Sequence, residues 1–303
     1  MYKTPFVVPF FLLALLGQTA QAGVDTAIAQ FSPPPDSAIP AGPFGDMVKL
    51  GKNIFNHTRE YAPKYVGNSL SCANCHLAGG RLADSAPLWA AYPAYPAYRS
   101  KNKKVNSYQA RLQGCFIYSM NGKAPPLDSD TLLALESYSF FLAKGAPVGD
   151  EKMSGRGFPK LPAPAEAPDL TRGKKVYEAS CALCHNSNGE GRTVDAKVIF
   201  PPLWGKNSYN WGAGMHSVST AASFIHANMP FGMPKTLTEQ QAWDVAAYIN
   251  SRPRPQDPRF KGTVEETRVK FHPNTKYDYY GQTIDGKQLG NPANTPPAGT
   301  VPK

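Results

Sequence analysis

The chain has 303 residues, a formal net charge of +10 and five cysteines. A chain of this length accommodates about two domains, since a domain typically has ~100–200 residues. No basic helix or aromatic platform accompanies the charge, which argues against a nucleic-acid-binding protein. A basic balance instead favours small anions or acidic protein partners.

The first 22 residues have the pattern of a secretory signal peptide. Lys3 is a short basic start, Phe6–Leu16 is almost wholly apolar, and Ala20–Ala22 is a small-x-small cleavage pattern. The apolar run is shorter than the ~20 residues that cross a bilayer, and no second apolar stretch follows, so a retained anchor is disfavoured. We predict cleavage after Ala22, a periplasmic location and no transmembrane span in the processed chain.

Two segments of similar pattern follow the signal peptide. Each contains a Gly-Lys pair, a Cys-x-x-Cys-His motif, a Pro-Leu-Trp tripeptide and a closing apolar stretch. The interval from Cys72 to Cys181 nearly equals the interval from Tyr138 to Tyr248. Ordered landmarks at a near-constant interval predict an internal duplication.

The pattern of apolar residues is helical, without a long alternation of the strand type. The predicted helices are, in chain order, Met47–Tyr61, a helix from Asp128 or Ser129 to Ala143, Leu170–Ala179, and a helix that Thr238 and Gln241 cap and that ends before Pro253. Gly145 to Asp169 is rich in proline, glycine and charge, and we predict an extended linker there. The chain after Pro253 is predicted to be irregular, with a disordered end from about Asn291.

Both close cysteine pairs belong to a Cys-x-x-Cys-His motif, the attachment signature of haem c. Two thioethers reach the vinyl groups on one edge of the porphyrin, and the following histidine then lies under the iron. This spacing overrides the disulfides that an exported chain would otherwise form. A single motif also occurs at zinc or redox sites, but two in a duplicated helical chain favour two covalently bound haems c. The predicted attachment residues are Cys72, Cys75, Cys181 and Cys184, and the predicted proximal ligands are His76 and His185.

These features predict an all-α fold class with two cytochrome c-like helical domains related by internal duplication. A long irregular linker joins the domains, and an irregular extension follows them. The predicted boundaries are 1–22 for the signal peptide, 23–150 for the N-terminal domain, 151–169 for the linker, 170–257 for the C-terminal domain and 258–303 for the extension.

The second domain has two methionines in a Pro/Gly loop between its haem motif and its last helix. A loop methionine is the usual sixth ligand of small cytochromes c, and we favour Met229 over Met233. His/Met ligation raises the reduction potential of a haem and suits electron transfer.

The first domain offers two candidates for the sixth ligand. Met120 corresponds to Met229 by the duplication, whereas Cys115 is the odd cysteine of the chain. An unpaired thiol in an oxidising compartment is a liability unless it is protected or used, although a buried free thiol or an intermolecular disulfide would also explain it. The residues alone leave both candidates open, with Cys115 slightly ahead.

Polar residues accompany Cys115. If residues 108–120 form a helix, Arg111, Cys115 and Ser119 lie on one face at intervals of four. A planar guanidinium beside a thiol suits an oxyanion. The basic residues upstream of Cys115, Lys101, Lys103 and Lys104, would also be explained by an ordinary solvated surface.

The Cys-x-x-Cys-His motifs, the block from Arg111 to Gly122 and the segment Asn228–Pro230 together resemble the dihaem thiosulfate dehydrogenases of the TsdA type, over nearly the whole processed chain. That family couples two thiosulfate ions into tetrathionate and passes two electrons to an acceptor cytochrome, and some members favour the reverse reaction. Its active-site haem has His/Cys ligation, so the resemblance places Cys115 well ahead of Met120.

The resemblance also implies the residues around the substrate. Arg111 and Ser119 would bind the sulfur oxyanion, and an upstream basic residue, Arg99 or Lys101, would assist them. Some members have a lysine before the second-haem methionine; here that position is Asn228, which favours simple His/Met ligation.

Three other functions remain as alternatives. A dihaem electron carrier without substrate would have His/Met ligation at both irons, and Cys115 with Arg111 argues against it. A SoxA-like subunit, whose haem-ligating cysteine conjugates thiosulfate to a carrier protein, would need an obligate partner. A dihaem peroxidase would need an open coordination site and distal acid–base residues, and no such set is evident.

Overall fold

The computed structural model describes residues 1, 31–195, 197–273 and 276–296 of the chain. The predicted signal peptide lies, after Met1, outside the described residues, so cleavage after Ala22 stays a prediction. No helix within the described residues is both long and apolar enough to cross a membrane.

Helices dominate the described residues. The α-helices are α1 (Pro43–Asn56), α2 (Thr58–Tyr61), α3 (Leu77–Gly80), α4 (Leu88–Ala91), α5 (Tyr108–Gly114), α6 (Asp130–Leu142), α7 (Leu170–Ser180), α8 (Ala182–His185), α9 (Val218–Asn228), α10 (Glu239–Asn250) and α11 (Val264–Phe271). The strands form antiparallel pairs, β1 (Ala97–Arg99) with β2 (Lys104–Asn106), β3 (Arg192–Val194) with β4 (Lys197–Phe200), and β5 (Thr283–Ile284) with β6 (Lys287–Gln288). The predicted all-α class, with two cytochrome c domains, is confirmed.

The N-terminal domain is built on the packing of α1 against α6. At their crossing, a Cβ added to Gly51 would lie 1.9 Å from the carbonyl oxygen of Ala134 and 2.8 Å from Cβ of Tyr138. Only glycine allows backbones to approach this closely. Tyr138 is fully buried and donates a 2.7 Å hydrogen bond to the carbonyl of Gly79, just after the first haem motif.

The C-terminal domain repeats this arrangement with α7 and α10. A Cβ added to Gly173 would lie 2.1 Å from the carbonyl oxygen of Asp244 and 2.8 Å from Cβ of Tyr248. Helix α9 completes the domain by packing on α10. The same glycine, carbonyl and tyrosine contact at both crossings supports the duplication on structural grounds.

The two predicted helix caps differ in the structure. The Oγ1 of Thr238 accepts a hydrogen bond from the backbone of Gln241, and the Gln241 side chain accepts one from the backbone of Thr238, which is the capping box that the sequence predicts. Ser129, rather than Asp128, is the N-cap residue of α6, but its side chain makes no capping hydrogen bond. The local signal thus explains the start of α10 and not that of α6.

The segment between the domains has no helix or strand from residue 143 to residue 169. It nevertheless packs on the C-terminal domain, since the ring of Phe158 lies 5.2 Å from that of Phe224. Trp243 also donates a 3.1 Å hydrogen bond to the carbonyl of Pro162. The two domains are therefore joined by an ordered strap.

The C-terminal extension departs from the irregular structure predicted for residues 258–303. It contains α11, whose start is a second capping box between Thr263 and Glu266, and the hairpin of β5 and β6, whose turn is Asp285-Gly286. Both residues of that turn have positive φ, as a tight two-residue hairpin requires. The prediction missed both signals because scattered prolines and asparagines dominate the composition of this segment.

Candidate active site and haem sites

A cavity of about 810 Å³ opens in the N-terminal domain beside the first haem motif. Its size is within the usual range of cofactor pockets. The first motif contributes both cysteines and the histidine to its wall. The sixth-ligand candidates and three arginines, one of them Arg156, contribute from other segments. These lining residues are Cys72, Cys75, His76, Arg99, Arg111, Cys115, Ser119, Met120 and Arg156.

The proximal histidines are oriented identically in the two domains. Nδ1 of His76 donates to the carbonyl of Ala86 at 2.7 Å, and Nδ1 of His185 donates to the carbonyl of Pro201 at 2.8 Å. A hydrogen bond at Nδ1 fixes the ring and leaves the Nε2 lone pair for a metal. Burial lowers the pKa of both imidazoles, which favours the neutral ligand form.

The donor sets fit covalently attached haem. All five cysteines lie within the described residues, and none of them forms a disulfide. Each domain therefore offers two free thiols for thioether bonds, followed by an imidazole with a free Nε2. The disulfide alternative for an exported chain does not apply to these motifs.

Arg111 and Cys115 meet at the cavity wall. A guanidinium nitrogen of Arg111, Nη1, lies 2.9 Å from Sγ of Cys115. The negative charge of a Cys115 thiolate is the main cause that raises the pKa of Arg111 above its usual value. A charged donor at this distance makes a charge-assisted hydrogen bond with a sulfur anion, and the thiolate is the form that binds metals and attacks sulfur.

The prediction of one continuous α-helix over residues 108–120 is wrong. Helix α5 ends at Gly114, and Cys115–Ser119 forms one π-helical turn. Arg111 and Cys115 remain one α-helical turn apart, but the interval of four no longer places Ser119 on their face. Ser119 still lines the cavity.

Two asparagines explain the π-turn. Asn68 donates a 2.7 Å hydrogen bond to the carbonyl of Ser119, and Asn210 donates a 2.9 Å hydrogen bond to the carbonyl of Ile117. The backbone amide of Asn210 donates to the carbonyl of Tyr118. Because external donors satisfy three consecutive carbonyls, the turn can widen without leaving them unpaired. Sequence reasoning missed both asparagines, since neither belongs to a local motif.

The structure separates the two candidates for the upstream basic residue. Arg99, at the end of β1, lines the cavity. Lys101 lies outside the lining: its Nζ is 3.7 Å from the centre of the Tyr118 ring and donates to the carbonyl of Gly212. Burial of this Nζ, together with the charge of Arg259, lowers the pKa of Lys101 to about 7.

The two methionines of the second domain also differ in position. Met229 ends α9 and packs against the core of the C-terminal domain, as does Cys181 of the haem motif. Met233 has 59% of its surface exposed. Met229 therefore shares a hydrophobic core with the second haem motif, whereas Met233 lies at the surface.

The chain is similar to known proteins in both of its haem domains. Residues 58–148 match the SoxA/TsdA cytochrome c domain family, and residues 170–253 match the cytochrome c family. A thiosulfate dehydrogenase of Thiomonas intermedia is 61% identical over 87% of this chain and 83% of its own length, and one of Stutzerimonas stutzeri is 50% identical over 90% and 89%. In the solved structures, a thiosulfate dehydrogenase (TsdBA) of Marichromatium purpuratum matches with a TM-score of 0.83 and 54% identity, over 88% of this chain and 58% of that longer chain. The resemblance seen in the sequence is confirmed, and this chain belongs to the thiosulfate dehydrogenase family of dihaem c-type cytochromes.

Proposed function

We propose that this protein oxidises two thiosulfate ions to one tetrathionate ion in the periplasm, at the cavity of the N-terminal domain. The observation that carries the proposal is the 2.9 Å contact between Arg111 and Cys115 in the wall of the haem cavity. A plain electron carrier has no use for a charged guanidinium at this position. The reaction releases two electrons, which leave through the second domain to a small acceptor cytochrome or a similar redox protein.

Charge repulsion is the first obstacle to this reaction. Thiosulfate is a dianion, and two of them must approach closely enough for a sulfur–sulfur bond to form. In a site of low dielectric constant, opposite charges attract one another far more strongly than in water. Arg111 and Arg99 line the cavity and lower the repulsion, and the hydroxyl of Ser119 adds a neutral donor.

Cys115 is proposed to act as a thiolate beside the substrate, as the distal ligand of the first haem or as the carrier of a sulfur adduct. The Arg111 guanidinium contacts its Sγ and restrains it on the cavity wall. Haem c, when bound, supplies a one-electron acceptor in each domain. The π-turn determines where Sγ points, because the carbonyls that follow Cys115 are held by Asn68 and Asn210.

The second domain is proposed to relay electrons. His185 and Met229 are its ligand pair, a combination that raises the reduction potential and suits outward transfer. Asn228, which precedes Met229, donates its side-chain amide to the carbonyls of Asp84 and Phe224. It is therefore engaged in holding the end of α9 and is no substitute ligand.

The decisive test compares Cys115→Ala with Met120→Leu, since both residues line the same cavity. Turnover of thiosulfate with ferricyanide should fall at least ~100-fold in Cys115→Ala and stay within twofold in Met120→Leu. The ferric protein should give the electron paramagnetic resonance signal of a thiolate-ligated low-spin haem, and Cys115→Ala should abolish it. Unchanged turnover in Cys115→Ala would refute the role of this residue.

The same assay separates the alternative functions. The isolated chain should oxidise thiosulfate without a partner subunit, whereas a SoxA-like conjugating subunit would be inactive on its own. A pure electron carrier would show two His/Met haems and no spectral response to thiosulfate.

A further inference from the structure

A second cluster of ligand-type side chains lies away from the haem motifs, between the C-terminal domain and the extension. His216 lies in the short turn before α9, His272 ends α11, and Asp278 follows a few residues later. Nε2 of His216 and Nδ1 of His272 are 3.1 Å apart, and Oδ2 of Asp278 lies 3.2 Å from the first and 3.0 Å from the second. Three atoms from three segments therefore meet at one point.

The remaining ring nitrogens show where the imidazole protons are. Nδ1 of His216 lies 2.5 Å from the carbonyl oxygen of Ala213, which can only accept, so this nitrogen carries a proton. Nε2 of His272 lies 3.0 Å from Oδ2 of Asp257, a carboxylate that Arg259 holds at 2.6 Å, so this nitrogen is also the donor. Each ring therefore turns its other nitrogen towards the other ring and towards Asp278.

The lone pairs of three such atoms repel one another unless a cation lies between them or one imidazole carries a second proton. In a zinc site, ligand atoms bound at ~2.0–2.1 Å in a tetrahedron lie about 3.3 Å apart, close to the spacing seen here. The hydrogen bond from His272 to Asp257 is the carboxylate–histidine arrangement that orients metal-binding imidazoles. The ring of Tyr280 stacks on His272 at 4.4 Å and restrains it further.

We propose that His216, His272 and Asp278 bind a Zn²⁺ ion. Two imidazoles and one carboxylate are borderline ligands that suit zinc better than calcium or magnesium. The side chains of His272 and Asp278 are 0% and 5% exposed and that of His216 is 13% exposed, so the three ligand atoms meet at a largely buried point. Asp257 is a positioning residue in this site.

The ion joins the extension to the C-terminal domain. His272 and Asp278 belong to the extension, whereas His216 adjoins Met215, which lines the first haem cavity. Zinc therefore anchors α11 and the hairpin that follows it against the wall of that cavity. This role is structural and does not depend on the reaction carried out at the haem.

The test is direct detection of the metal in the purified holoprotein. Elemental analysis should give about one zinc for every two haem irons, either as isolated or after incubation with ZnCl₂ and removal of the excess. Anomalous diffraction recorded on both sides of the zinc absorption edge should show a peak between the three side chains above the edge only. This measurement requires no variant, so a folding defect cannot obscure it.

Variants give the second arm of the test. His216→Ala and Asp278→Asn should remove the zinc, and Asp257→Asn should weaken its binding by about 10–100-fold. His57→Ala, an exposed histidine of the N-terminal domain, is the matched control and should keep full zinc. The proposal is overturned if the wild-type holoprotein binds no zinc, which would leave one protonated imidazole hydrogen-bonded to Asp278 as the explanation, or if the anomalous peak lies elsewhere.

Discussion

The two haem domains are alike on the proximal side and different on the distal side. Both have a glycine under a carbonyl at the main helix crossing and a histidine whose Nδ1 donates to a backbone carbonyl. On the distal side, the second domain has a methionine at the end of a helix, whereas the first has a cysteine paired with Arg111. The duplicated fold thus keeps the cofactor in place, and catalysis depends on the part that has diverged.

The divergence is also one of charge. Three guanidinium groups line the first cavity, those of Arg99, Arg111 and Arg156, together with the carboxylate of Glu151. Met229 is flanked by Asn228 and Pro230, which carry no charge. A cavity that attracts dianions and a neutral site that passes electrons can therefore share one fold.

The largest effect is expected from Arg111→Ala. Loss of the only donor seen on Sγ of Cys115 among the described residues should lower kcat/KM for thiosulfate by about 10²–10³-fold, the usual cost of removing one preorganised donor. Steady-state reduction of ferricyanide measures this. In the control variant Lys103→Ala, which removes an exposed basic residue of the nearby hairpin, kcat/KM should stay within twofold of the wild-type value. An equal loss in both variants would show that the effect comes from net charge alone.

The next effect concerns the second haem. Met229→Ala should abolish the methionine-to-iron charge-transfer band of the ferric protein and lower turnover with a cytochrome acceptor by about tenfold or more. The matched variant Met233→Ala, at an exposed position of the same loop, should keep both. The reverse result would make Met233 the ligand.

A smaller effect distinguishes the two upstream basic residues. Arg99→Ala should raise KM for thiosulfate by up to about tenfold with little change in kcat, since its guanidinium lines the cavity. Lys101→Ala should change KM less, because its Nζ is engaged by Tyr118 and Gly212. A larger rise in KM for Lys101→Ala would reverse the assignment.

The last prediction concerns stability and the variant Asn210→Ala. This side chain is 1% exposed and donates to the carbonyl of Ile117 and to Oδ1 of Asn121. Leaving these buried acceptors unpaired should cost about 1–3 kcal/mol in the free energy of unfolding. Thermal denaturation of the holoprotein measures the loss, and exposed Asn53→Ala should stay within about 0.5 kcal/mol.

Local features were predictable from the sequence. Each haem motif contains its two cysteines and its histidine within five residues, so these residues can be read from the sequence. The cap at Thr238 likewise depends on residues only three apart. The same kind of signal was present but overlooked at Thr263 and at Asp285-Gly286. Both signals are local, and they were missed because the overall composition of the segment was given more weight than a short motif.

Long-range features were not predictable in this way. The π-turn at Cys115 depends on Asn68 and Asn210, which approach from opposite directions along the chain. The cluster of His216, His272 and Asp278 has no motif spacing, since its members meet only after the extension has folded back. Such sites arise from tertiary contacts and become visible only when the packing is known.

The π-turn limits how freely the two halves of this protein can be exchanged. One of its asparagines comes from each half, so the geometry at Cys115 is not a property of the N-terminal domain alone. A chimaera that joins this N-terminal half to the second half of another cytochrome would inherit the cysteine without its full support. The smallest portable unit of this active site therefore crosses the domain boundary and extends at least to Asn210.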